Sequence, residues 1–149
     1  MTADLAFEVL LQAPYDRALE LVEGALKAEG FGVLTRIDVR AVLQEKLGAD
    51  FRPYAILGAC NPVLAHRALG HSAEVGLLLP CNVTVEAGLS GGTIVRIGNP
   101  EAMLAAVLQG GDQVLRDVGH EARARLERVA AALKAEGGRK EAQSAVKVR

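Results

Sequence analysis

Two cysteines, Cys60 and Cys81, are the side chains in this sequence best suited to chemistry. Cys60 precedes Asn61-Pro62, a favoured helix-capping residue followed by one suited to the first helical position. A thiol just ahead of a helix start lies near unpaired amide N–H groups and the positive end of the helix dipole, which favour the thiolate. Cys60 is therefore a candidate nucleophile, although a small hydrophobe packed at the end of a strand explains it more simply. Cys81 follows Pro80, where a strand is expected to bulge or bend and re-aim its side chains. If the strands carrying the two cysteines pair antiparallel, both thiols approach one pocket at the sheet end. The candidate ligand-binding set is then Cys60, Asn61, Cys81 and Asn82. A disulfide would need Cα atoms within about 7 Å, a distance the sequence leaves open.

His66 lies on the helix that follows Cys60, which makes Cys60, His66 and Cys81 candidate ligands for zinc or monovalent copper. The spacing is not that of a zinc finger or ribbon, and a solvent-facing helical histidine accounts for it equally well. His71 and His120 receive no role. The chain has no nucleophile elbow, Walker loop, dinucleotide fingerprint or His-Glu-x-x-His. The glycines of GLSGG fall between two strands and read as a hairpin loop. EARARLER is a solvated helix face with local ion pairs.

The elements that must position these residues fit one domain of 149 residues, long enough to bury a core without metal or disulfide staples. A formal charge of −1 and five aromatic residues supply neither the field nor the stacking surface for nucleic acid, so none is expected as a partner. No apolar run approaches the roughly 18 residues of a membrane span, and the acidic N-terminus has the wrong charge order for a secretory signal. A cytoplasmic protein is expected, with both thiols reduced.

Residues 4–11 read as a strand. The stripe Tyr15, Ala18, Leu19, Val22, Ala25, Leu26 reads as a helix capped by Asp16 and ended by Gly30. From Gly30 the period shortens to that of a strand through Ile37, and Asp38 caps a helix over 39–47 that Gly48 ends. Strands are expected at 51–60, 75–79, 82–86 and 93–97, with helices at 62–69 and 100–108, the latter behind a second Asn-Pro pair, Asn99-Pro100. Asp112 caps a last helix over 113–136, about 36 Å long at 1.5 Å per residue. Gly137-Gly138 ends it, leaving 137–149 as a polar tail expected to be disordered.

EGFGVLTRIDV at 29–39, LGACNPVLAHRAL at 57–69 and GLLLPCNVTV at 76–85, in that order and spacing, resemble the signature of the bacterial domain-of-unknown-function 302 family. The resemblance covers residues 4 to about 134. It implies an α+β fold of the β-α-β₄-α kind, an antiparallel sheet carrying helices on one face and shaped like half of a TATA-binding protein. The short helices at 39–47, 62–69 and 100–108 would then be insertions. No activity comes with the resemblance. It also implies that Asn61, Pro62 and Pro80 belong to the architecture, while the two cysteines mark one branch of the family.

The best functional reading is a non-catalytic ligand-binding or regulatory module with its site near Cys60 and Cys81. The first alternative is a thiol-dependent redox protein or enzyme, with Cys60 as nucleophile and Cys81 as resolving partner. The second is a homodimeric interaction domain built on a sheet edge or the long helix. A small molecule, a soft metal or a second copy are the partners the sequence allows, and it requires no cofactor.

Overall fold

The computed structural model describes residues 5–108 and 112–148, with side chains described to 106 and from 112 to 137. The chain runs through β1 (Ala6–Leu11), α1 (Tyr15–Ala28), β2 (Gly32–Asp38), α2 (Val39–Leu47), β3 (Tyr54–Cys60) and α3 (Pro62–His71). A 3₁₀ segment (Ala73–Leu78), β4 (Cys81–Ala87), β5 (Thr93–Gly98), α4 (Pro100–Leu108) and α5 (Gln113–Val148) complete it. The strands form one sheet in the order β1-β5-β4-β3-β2, with every neighbouring pair antiparallel. This is the expected α+β domain of β-α-β₄-α order with added short helices.

Strand alternation decides which side chains enter the core. Val9, Leu57, Val83, Val85, Val95 and Ile97 point to one face, where α1 brings Leu19, Val22 and Leu26, and α5 brings Leu126, Val129 and Leu133. Among the described residues the other face carries no long helix. There Glu86, only 7% exposed at its side chain, takes Arg52 Nε at 2.5 Å and an ion pair from Arg96, which also reaches Glu8 at 3.0 Å.

Local signals explain most boundaries. Gly30, at φ +84°, lies in the left-handed region past the end of α1, and Gly48, at φ +63°, does the same for α2. Asp38 Oδ1 accepts from Ala41 N at 3.0 Å, and Asp112 Oδ1 accepts from Val114 N at 2.9 Å at the start of α5. Asp16 is not the cap of α1. The helix begins behind Pro14 with no side-chain cap, and Asp16 lies in its first turn, where its charge still suits the dipole.

Two expected elements differ. Residues 75–79 are not a strand, because the chain from Ala73 to Leu78 coils into the 3₁₀ segment. Its three-residue repeat turns Val75 and Leu78 inward and leaves Leu77 in solvent. The bend expected at Pro80 is present, at a cis peptide leading into β4, and a register shift lies in β2, between Val33 and Thr35. α5 continues through Gly137-Gly138 to Val148, past the end expected at Gly137. A helical glycine costs about 1 kcal/mol relative to alanine, which does not stop a helix already packed for several turns. Among the described residues no helix is long and apolar enough to cross a membrane.

Candidate functional site

β3 and β5 flank β4 and run in the same direction, so both end beside the beginning of β4. Each then meets an Asn-Pro pair and turns into a helix, Asn61-Pro62 into α3 and Asn99-Pro100 into α4. Asn61 Oδ1 accepts from Leu64 N at 3.2 Å, and Asn99 Oδ1 accepts from Glu101 N at 3.1 Å. The repeated signal thus starts two helices at one end of the sheet, on either side of Cys81.

α3, the 3₁₀ segment, α4 and the first turns of α5 close over that end. They form a second apolar cluster of Leu64, Ala68, Val75, Leu104, Leu115, Val118 and Ala122, separate from the main core. Between this cluster and the sheet lies a cavity of about 50 Å³. Its wall is almost wholly hydrocarbon, broken by the two cysteines and by Asn61 and Asn82. All four residues of the expected ligand-binding set border it.

They are not equivalent. Cys81 pairs with Ala59, and both share the helix-covered face. Cys60, one residue further along β3 and opposite Gly32, alternates to the other face and meets the cavity at its edge. Asn61 is buried and occupied as a helix cap, packed so close to Gly30 that a Cβ there would lie 2.9 Å from Asn61 Nδ2. Asn82 pairs with Gly58 and is exposed. Gly58 is required by packing, since a Cβ would fall 2.7 Å from the Pro80 ring. The motif residues Gly58 and Pro80 are therefore one contact.

The expected lowering of the Cys60 pKa is overturned. Burial pushes the Cys60 thiol above its ordinary value. Burial, with the neighbouring Cys60 adding to it, pushes Cys81 up to about 11. Removing the thiols from water disfavours their anions, and no cation among the described residues offsets this. Both cysteines are free thiols. The Cys60, His66 and Cys81 metal set does not assemble either. His66 is exposed on the outer side of α3, opposite Leu64 and Ala68, and the described residues contain no group of three histidine, cysteine or carboxylate side chains placed to hold a metal ion.

Several lining residues fall outside the motifs singled out in the sequence: Met103, Leu104, Val118 and Ala122. The second Asn-Pro pair was the available clue, because it places α4 beside α3.

A family model described as "Domain of unknown function DUF302" matches residues 7–133. Among solved structures, the crystal structure of an uncharacterized conserved protein DUF302 from Bacillus stearothermophilus is 33% identical. The match covers 88% of this chain and 97% of that one, with a TM-score of 0.74. No curated protein matches.

Proposed function

This chain belongs to the DUF302 family, which brings a fold and no activity, and we propose that it is a non-catalytic module binding a small apolar ligand in the cavity at the sheet end. One observation carries the reading: a closed layer of α3, the 3₁₀ segment, α4 and α5 stands over the beginning of β4 and leaves a hydrocarbon-lined hollow where the main core could have continued. Protein interiors are close-packed, so an apolar void forfeits dispersion contacts that a ligand would restore.

At about 50 Å³ the hollow suits a branched or short straight alkyl group. A larger ligand would insert one apolar end and leave its polar part toward exposed Asn82. Cys81 serves as a polarizable part of the wall, because its neutral thiol packs against hydrocarbon without the desolvation cost of a charge. The same protonation counts against the thiol-enzyme alternative, whose nucleophile must be a thiolate. The reading places the protein in a reducing compartment, where both thiols stay free.

The test is a methyl-resolved NMR titration with xenon and with aliphatic alcohols of increasing chain length. Saturable shifts confined to methyl groups of Leu64, Leu78, Leu104 and Val118 are expected. Absence of saturation with every compound would remove the reading.

A further inference from the structure

The two edges of the sheet are finished differently. β1 buries Val9 and Leu11, and α5 leans on it closely enough that a Cβ at Gly137 would lie 3.3 Å from Leu11 Cδ2. β2, at the opposite edge, buries none of its seven residues, and the nine-residue α2 that follows also buries none. Leu34, Ile37, Val42 and Leu47 are 68%, 46%, 39% and 74% exposed. β2 contains neither proline nor lysine to discourage pairing, and its one irregularity lies between Val33 and Thr35, leaving the stretch from Thr35 to Asp38 regular. A short helix with no buried side chain gains little from its own chain.

The charge pattern of this edge fits itself. Arg36 and Asp38 share one face of the sheet, opposite Leu57 and Ala55, while Ile37 lies on the other, opposite Ile56. When two copies of β2 are set antiparallel about a two-fold axis through Ile37, Arg36 of each stands opposite Asp38 of its partner. Ile37 meets Ile37, and Leu34 falls beside the start of the partner's α2. Opposite charges directly across an antiparallel pair are favourable, and a two-fold contact makes each such pair twice. We infer that β2 and α2 are the surface through which a second copy of this chain docks, joining the two five-stranded sheets edge to edge. This surface lies at the opposite edge of the sheet from β1 and independently of the cavity, so the dimer and the ligand reading stand or fall separately.

Sedimentation equilibrium on the full chain reads the inference directly. A dimer is expected at tens of micromolar, and Ile37→Lys is expected to give monomers with an unchanged circular dichroism spectrum. The register is tested by charge exchange. Arg36→Glu and Asp38→Lys chains are each expected to dimerise at least tenfold more weakly than the wild type, because like charges then oppose one another, and Asp38→Asn, which keeps the cap of α2, is expected to weaken the dimer less than Asp38→Lys. Mixing them restores opposite charges at both positions, so a heterodimer is expected to form. A wild-type monomer at several hundred micromolar would overturn the inference, as would a dimer indifferent to Ile37→Lys, or a mixture no more associated than its separate components.

Discussion

Cys81 stands directly opposite Ala59 in the β3–β4 ladder, on the face that the helices cover. Cys60, the next residue of β3, turns to the other side. That one-residue step divides two cysteines that look alike in sequence into a cavity-wall thiol and an edge thiol.

The wall position gives Cys81 a signature in alkali. Its pKa is pushed from an ordinary 9.0 to about 11 by burial, with Cys60 adding to the shift. A group whose folded pKa is raised contributes stability that is complete below the unfolded value and lost as pH rises through the folded one. The thermal midpoint is expected to fall between pH 9 and 11, and Cys81→Ala should flatten that part of the profile. Iodoacetamide should label Cys81 more slowly than Cys60 at pH 8, and rapid labelling of Cys81 at pH 7 would contradict its protonated burial.

Replacing Asn61 tests the roof. Its Oδ1 caps α3, so Asn61→Ala should cost about 0.5–2 kcal/mol of unfolding free energy, with Asn61→Asp recovering most of it. Denaturant unfolding measures both. A neutral Asn61→Ala would mean that the cap contributes nothing to closing the cavity.

Glu86 gives the opposite pH dependence. Burial alone would raise its carboxyl pKa, but hydrogen bonds from Arg96 and Arg52 outweigh it and hold the value below the ordinary one. A lowered folded pKa contributes stability present above the unfolded value and lost as pH falls through the folded one. Glu86→Gln should therefore cost about 1–2 kcal/mol at pH 7 and progressively less in acid. Urea titrations at pH 7 and pH 3 supply the comparison, and an equal loss at both would rule out the charge as the cause.

Much of this fold was readable from short-range rules. Asp38, Asn61 and Asp112 cap the helices expected of them, Gly30 and Gly48 end helices in the left-handed region, and the three family motifs indicated the β-α-β₄-α order. Sequence periodicity failed where the structure depends on distant packing. VGLLL has the composition of a strand, but Val75 and Leu78 pack into the second cluster beside α3 and α4, and the segment coils to place them there. At the candidate site, the adjacency of the two cysteines was visible as a condition on strand pairing. The face each occupies was not, because it depends on the register Ala59↔Cys81. Charge and burial also act oppositely on Cys60. The nearby helix start suggested a lowered pKa, whereas the desolvation that raises it belongs to the folded chain alone.

The most direct test of the cavity is a pair of xenon titrations, followed by methyl NMR, on the wild type and on Ala122→Val. Valine adds two methyl groups at the wall, a small-to-large change whose cost stays within about 1–3 kcal/mol. Saturable shifts at Leu64, Leu104 and Val118 are expected in the wild type and should vanish in the filled variant. Identical responses in the two proteins, or none in either, would contradict a ligand-accepting hollow at the sheet end.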